Sequence, residues 1–241
     1  MIGIVKSDNR FKELSKNVNS IYSDELIDFF NIDALVLPIK GIDNNGFIKE
    51  NLNIIDILRN NKIKRIITGF ANDYLKNICK EYFIELIVLM DKFEFIDGNS
   101  RLTALGIYTY LLNNKKINND IVIIGFGNIS FYLAKIFKLF NIKFKIYTPN
   151  IIEKKFARLL KYDIIDNIEN IYSYKKLINT IPKNLDWDYD KLIGIDILDV
   201  SSSPYGFDML RLSEGSRYEI LSNIPALFYP NEAMKLILNE L

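Results

Sequence analysis

The stretch Asp120-Ile-Val-Ile-Ile-Gly125-Phe-Gly127-Asn-Ile-Ser130 constrains this chain more than any other. A short apolar run ends in a glycine-rich turn and opens into the helical pattern Phe131-Tyr-Leu-Ala-Lys-Ile-Phe-Lys-Leu, so it reads as strand, turn, helix. Gly125 permits the tight turn. Gly127 lets the backbone amides of Asn128, Ile129 and their neighbours approach a diphosphate, and the helix that follows aims its positive end at the same anion. The third glycine of such a fingerprint packs helix against strand; Ser130 stands there, the next smallest choice. The stretch predicts a dinucleotide site.

Around it, apolar strands alternate with helical segments from the first residue, the pattern of parallel sheets covered on both faces. Strands are predicted at Ile2 to Val5, Ala34 to Pro38, Arg65 to Thr68 and Glu85 to Met90, with helices from about Arg10 to Ile21, Asn53 to Asn60 and Ala71 to Tyr82. Asp43-Asn-Asn-Gly46 reads as a turn leading to a short exposed strand. Asn99 to Asn113 reads as one helix, capped by Asn99 or Ser100, that carries the chain into a second lobe. That lobe continues with the Gly125 strand, a strand from Lys143 to Tyr147, a helix from about Ile151 to Leu160, and strands at Leu177 to Pro182, Ile193 to Val200 and Tyr218 to Leu221. The fold class is α/β in two lobes: residues 1–98 a flavodoxin-like parallel-sheet lobe for substrate, 99–229 a Rossmann dinucleotide-binding domain, and 230–241 a terminal helix returning to the first lobe.

Composition narrows the chemistry. With 241 residues there is room for two modest cores. Lys and Arg total 31 against 30 Asp and Glu, and a net charge of +1 gives no broad field for nucleic acid or an acidic membrane. There is no histidine, which removes the commonest general base and the commonest transition-metal ligand, so no metal is expected. The single cysteine, Cys79, sits in a helical pattern as a buried small hydrophobe and fits a reducing compartment. Met1 leads straight into a strand, and no apolar run approaches a membrane span; the expected location is the cytoplasm.

Candidate ligand residues follow from where strands end, because open α/β sheets bind at the carboxyl ends of their strands. Arg10 and Lys40 follow the first two strands, and Ser100, Arg101 and Thr103 start the linking helix; these cations and hydroxyls are the expected substrate-binding set. Asp8 either caps the helix after the first strand or touches substrate. An acid at the end of the second strand of the cofactor lobe would bind the ribose 2′-hydroxyl of NAD. Tyr147 and Thr148 are uncharged, while Lys154 and Lys155 either meet the 2′-phosphate of NADP or form a solvated face. NADP is therefore favoured, with NAD as the other option. Thr180, Ile181 and Pro182 reach the nicotinamide side, and Ser201 and Ser202 follow the next strand. Lys40, Asp199 and Asp208 are the candidates to move a proton; the aspartates are equally suited to tying down loops.

Several separated motifs resemble one family, the A subunit of dipicolinate synthase. Lys6-Ser-Asp8-Asn-Arg10 is similar to the family's Gly-Gly-Asp-x-Arg, and Leu37-Pro38-Ile-Lys40-Gly41 to its Leu-Pro-x-x-Gly. Asn99-Ser-Arg-Leu-Thr103-Ala104-Leu-Gly106 resembles Asn-x-Ile-Pro-Thr-Ala-Glu-Gly, with Leu102 in place of proline and Leu105 in place of glutamate. Gly125-Phe-Gly127, Asn179-Thr-Ile-Pro182, the Asp199 to Asp208 segment and Ile224-Pro225 to Pro230 match the family's later motifs in order, with Ala226 where it has glycine. The resemblance spans nearly the whole chain. It implies oxidation of a dihydrodipicolinate, derived from 4-hydroxy-tetrahydrodipicolinate, to aromatic dipicolinate during sporulation, by hydride transfer to a nicotinamide cofactor. It also implies a partner, the flavoprotein-like B subunit; separately, a homo-oligomeric assembly is expected. Two other readings stay open: another NADP-dependent two-lobed dehydrogenase of the shikimate or methylene-tetrahydrofolate type, and a non-catalytic nucleotide-binding scaffold.

Overall fold

In the first strand, β1 (Ile2–Val5), Ile4 and Val5 are both buried, but they point to opposite faces of a sheet. The same alternation runs through β3 (Ala34–Val36), where Leu35 joins one apolar cluster and Val36 the other. A sheet that buries both faces needs helices on both, which is the arrangement the computed structural model shows. It describes residues 1–117, 120–212 and 215–241, and they form two compact units, Met1–Asn99 with Pro225–Leu241, and Ser100–Ile224.

The first unit runs β1, α1 (Asn9–Asn17), β2 (Ser20–Ser23), β3, a small hairpin of β4 (Phe47–Lys49) and β5 (Leu52–Asn53), α2 (Ile54–Asn60), β6 (Arg65–Thr68), α3 (Asp73–Glu81) and β7 (Glu85–Val88). Its sheet is parallel in the order β2-β1-β3-β6-β7. One face packs on α2 and α3 through Leu35, Ile66, Ile57 and Leu75; the other holds Ile4, Val36 and Ile67 against Phe11, Phe95, Met234 and Ile237. Each fully buried aliphatic side chain contributes about 1.5–3 kcal/mol relative to exposure. The turn before β4 is built by Asp43, whose Oδ1 accepts the Asn45 and Phe47 amides at 2.9 and 2.8 Å.

Two boundaries differ from the sequence reading. Helix α1 stops at Asn17, and Ser20–Ser23 is an edge strand paired with β1, Gly3 opposite Ile21. Its two serines hide the strand from a hydropathy pattern; pairing with β1, not local preference, makes it. Helix α4 (Phe93–Asn113) begins at Phe93, so neither Asn99 nor Ser100 caps it. Gly98 does not break the pattern but lies inside the helix, where a Cβ would meet Cδ2 of Leu236 at 2.5 Å. The glycine allows close packing of α4 against the chain's last helix.

The second unit contains β8 (Ile121–Ile124), α5 (Asn128–Leu139), β9 (Phe144–Tyr147), α6 (Ile151–Leu159), β10 (Lys176–Asn179), β11 (Asp196–Asp199) and β12 (Arg217–Ile220). Its parallel sheet has the order β12-β11-β10-β8-β9. An isolated parallel bridge, Ile146 to Ile164, extends it beyond β9, held by Ile146 N to Asp163 O at 2.9 Å and Ile165 N to Ile146 O at 2.8 Å. Counting that bridge as a reduced strand gives the 3-2-1-4-5-6 order of a dinucleotide-binding sheet. The chain then forms α7 (Ile224–Phe228), too short to show a periodicity in sequence, and α8 (Pro230–Leu238), which packs on α1 in the first unit. Among the described residues no helix is long and apolar enough to cross a membrane.

Candidate functional site

Strand β8 has β9 on one side and β10 on the other. The chain connections leave it in opposite directions, so a crevice opens at its carboxyl end. The glycine turn fills that position. Gly125 has φ +94, and a Cβ there would lie 2.5 Å from Thr180 Oγ1 and 2.9 Å from Ile181, so glycine is required twice over, by conformation and by space. Gly127 differs: among the described residues nothing lies within 4 Å of where its Cβ would be. It is the N-cap of α5, with φ −77 and ψ −168, and no side chain caps the helix. The amides of Asn128 and Ile129, first in the helix, have no intrahelical acceptor, and both residues line an open cavity of about 390 Å³. Ser130 is fully buried; its hydroxyl meets Thr180 Oγ1 at 2.8 Å, and Thr180 in turn donates to the Ile124 carbonyl at 2.8 Å. The third fingerprint position thus ties helix to neighbouring strand through a hydroxyl pair.

At the β9 side, the sequence reading and the structure part. The Tyr147 ring packs into the apolar core, where burial pushes its phenol pKa up, and its carbonyl accepts the Gly125 amide at 2.8 Å. Its side chain is not among the cavity's lining residues, whereas Thr148 is. Lys154 pairs with Asp166 at 3.5 Å and does not line the cavity either. The acid that does is Glu153, which sequence reasoning missed. Its Oε2 accepts the Thr148 hydroxyl at 2.6 Å and the Phe126 amide at 2.9 Å, so a carboxylate from the first turn of α6 stands beside the glycine turn. Asn150-Ile-Ile-Glu153 has the spacing of a capping box, in which the glutamate would reach back to the N-cap amide. Here Thr148 Oγ1 accepts that Asn150 amide at 3.2 Å, which releases Glu153 toward the cavity. That spacing after a strand was the available signal.

At the β10 side, Thr180, Ile181 and Pro182 line the cavity. Both backbone groups of Ile181 are held by one side chain: Asn179 Oδ1 accepts the Ile181 amide at 3.1 Å, and Nδ2 donates to the Ile181 carbonyl at 3.0 Å. Behind Asn179 lies Asp199, fully buried. Its Oδ1 accepts from Asn179 Nδ2 at 3.0 Å, the Ser201 amide at 3.0 Å and Ser201 Oγ at 2.7 Å. Its Oδ2 accepts from the Gly206 amide at 2.8 Å and Tyr218 OH at 3.0 Å. Ser201 therefore faces Asp199, Ser202 is exposed, and Asp208 Oδ1 accepts the Leu210 amide at 3.0 Å.

The expected substrate set is distributed. Ser100 is buried and lines the cavity at the glycine turn. Thr103 is buried, and the Arg101 guanidinium lies 5.5 Å from the centre of the Tyr132 ring. In the first unit, Arg10 is buried, its Nε donating to both Asp8 oxygens at 2.9 and 3.1 Å, while Asp8 also caps α1 through the Arg10 amide at 3.1 Å. Lys40 lines a separate cavity of about 490 Å³ with Asp43, Phe47, Lys49 and Glu50. Lys49 there is committed to Asp24 at 2.9 Å. Among the described residues no group of three or more acidic, cysteine or histidine side chains is arranged to hold a metal ion.

No protein-family profile matches the chain, and no curated protein does. Solved structures do. The A chain of dipicolinate synthase from Bacillus subtilis superposes with a TM-score of 0.77 over 99% of this chain and 93% of that one, at 18% identity. The corresponding dipicolinate synthase chain from Bacillus halodurans gives 0.76, covering 99% and 95%, also at 18% identity. The NAD+-bound 3-phosphoglycerate dehydrogenase of Entamoeba histolytica gives 0.51 over 100% and 94%, at 12% identity. This chain is similar in fold, along nearly its full length, to the protein that its sequence motifs resemble and, more distantly, to a dehydrogenase.

Proposed function

We propose that the chain is a nicotinamide-dependent oxidoreductase of the dipicolinate synthase kind, and that its cofactor is NAD. The observation that carries the cofactor reading is the open space at Gly127 in front of an uncapped helix, flanked by Glu153. A Cβ at Gly127 would occupy the room a diphosphate needs, and the amides of Asn128 and Ile129 supply its donors. Glu153 Oε2 carries two donors, and Oε1 has none among the described residues, which leaves an acceptor for a ribose hydroxyl. A carboxylate there attracts the 2′-hydroxyl of NAD and repels the 2′-phosphate of NADP. Lys154, one of the two lysines behind an NADP preference, is paired with Asp166 instead.

The cofactor, when bound, accepts a hydride. The substrate class follows the motif resemblance and the shared fold: a dihydrodipicolinate, formed from 4-hydroxy-tetrahydrodipicolinate by loss of water, gives up a hydride, releases a ring proton to water and becomes aromatic dipicolinate. Aromatisation drives the proton loss, so the chain need only orient the ring, and the absence of histidine is no obstacle. Lys40, whose ammonium meets no partner among the described residues, serves a ring carboxylate. Asp199, with both oxygens engaged, is left out of the proton transfer. A flavoprotein-like B subunit is the partner, and the setting is the cytoplasm of a sporulating cell.

Calorimetric titration with each nucleotide tests the cofactor choice. Wild-type protein is expected to prefer NAD at least about tenfold, and Glu153→Ala to lose most of that preference. A preference for NADP, or an unchanged ratio in the variant, overturns the assignment. For the reaction, the purified chain with its partner, NAD and the product of the dihydrodipicolinate synthase reaction should develop pyridine dicarboxylate absorbance. Cofactor binding without that product would remove the substrate assignment and leave the cofactor site standing.

A further inference from the structure

We propose that Asp199 is a positioning residue for the half of the cofactor cavity farthest from Glu153, acting through Asn179; the inference rests on the cofactor reading above. The cavity runs from the end of β9, where Thr148 and Glu153 stand, across the glycine turn on β8, to Thr180, Ile181 and Pro182 after β10. A dinucleotide with its adenosine ribose at Glu153 must place its other half against the β10 wall.

That wall has no secondary structure to hold it. Ile181 is fixed by the two amide bonds to Asn179, and Asn179 is fixed in turn by Asp199. Asp199 is the end of the relay. Five donors converge on its two oxygens, from β10, β12 and the loop after β11. Gly206 closes the arrangement from the other side: a Cβ there would run into the Asn179 amide group. Such a carboxylate has no free lone pair facing a substrate, and its convergent donors are what a buried charge requires. Burial and the neighbouring Asp199 raise the Tyr218 phenol pKa, so it remains a donor at neutral pH. What the constellation determines is the position of one asparagine and, through it, the shape of the far wall.

Two ligands separate this role from a general contribution to folding. AMP occupies only the Glu153 side of the cavity; NAD spans it. Asp199→Asn replaces one acceptor oxygen by a donor and leaves an N–H without a partner whichever way the amide turns. It is expected to weaken NAD binding about tenfold or more while AMP affinity stays within about twofold. Gly206→Ala, which keeps the carboxylate and displaces Asn179, should show the same selective loss. Both are measured by titration calorimetry on protein whose circular dichroism matches wild type. An unchanged ratio of NAD to AMP affinity in the folded variants, or an equal loss of both ligands, overturns the positioning role. Wild-type protein that binds AMP and NAD equally well does so too, because the far wall then contributes nothing. Wild-type protein that binds no nicotinamide nucleotide overturns the cofactor reading itself.

Discussion

The two sheets of this molecule solve the same local problem in opposite ways. Each has a first strand paired on both sides, followed by a turn and a helix whose amino end lies at the switch point. The residues that begin those helices have almost the same backbone: Asp8 at φ −83, ψ 178, and Gly127 at φ −77, ψ −168. In the first unit the Asp8 carboxylate caps α1 and is itself neutralised by Arg10. In the second no side chain caps α5, and the space beyond the glycine is open. A helix amino end offers its positive pole to a ligand only where the chain has not supplied the anion. The presence of the helix is common to both units; the missing carboxylate makes one of them a candidate site.

The contrast breaks most heavily at Asp8. Asp8→Ala removes the cap and strands a buried guanidinium, and should cost about 3 kcal/mol of stability, read as a shift in the denaturant midpoint. A loss within about 0.5 kcal/mol would show that the ion pair does not fill the first helix end. Next comes the transplant. Gly127→Asp installs the first unit's solution in the second, on a backbone that already suits it. Stability should stay level or rise by about a few tenths of a kcal/mol, while NAD affinity falls about a hundredfold or more. Retained binding in a folded variant would mean that the diphosphate lies elsewhere.

The smallest effect concerns pH and belongs to the first unit alone. Burial pushes the Cys79 thiol up to about 11 from an ordinary value of 9.0. The folded state therefore holds the proton more tightly than the unfolded chain. The associated stability is complete below about pH 9 and is lost as the pH rises toward about 11. By about pH 10 the loss amounts to about 1 kcal/mol. The gap between denaturant midpoints at about pH 8 and about pH 10 should narrow by about that amount in Cys79→Ala; an identical fall in the variant would assign the loss to other groups.

What could be read from sequence is what local pattern encodes. Ile121–Ile124 followed by two spaced glycines announces its turn because both the strand and the steric need for glycine at 125 are local. A charge in the first turns of a helix has no direction until α6 is placed; Glu153 turns in and Lys154 pairs with Asp166. For Asp199 the sequence leaves proton transfer and loop anchoring equally open, because Asn179 and Tyr218, each far from it in sequence, and Gly206, beyond the next turn, donate to it only once folding gathers them around it. Ser20–Ser23 and the single bridge at Ile164 are strands by pairing alone. Periodicity finds the scaffold, and the polar partners that decide a site's chemistry come from residues brought together by the fold.

On this proposal the unplugged end of α5 receives a dinucleotide diphosphate. A crystal of the protein soaked in NAD tests it directly. Diphosphate oxygens are expected within hydrogen-bonding distance of the Asn128 and Ile129 amides, with the adenosine ribose on Glu153. Nucleotide density at any other place, or none at a saturating concentration, would contradict it.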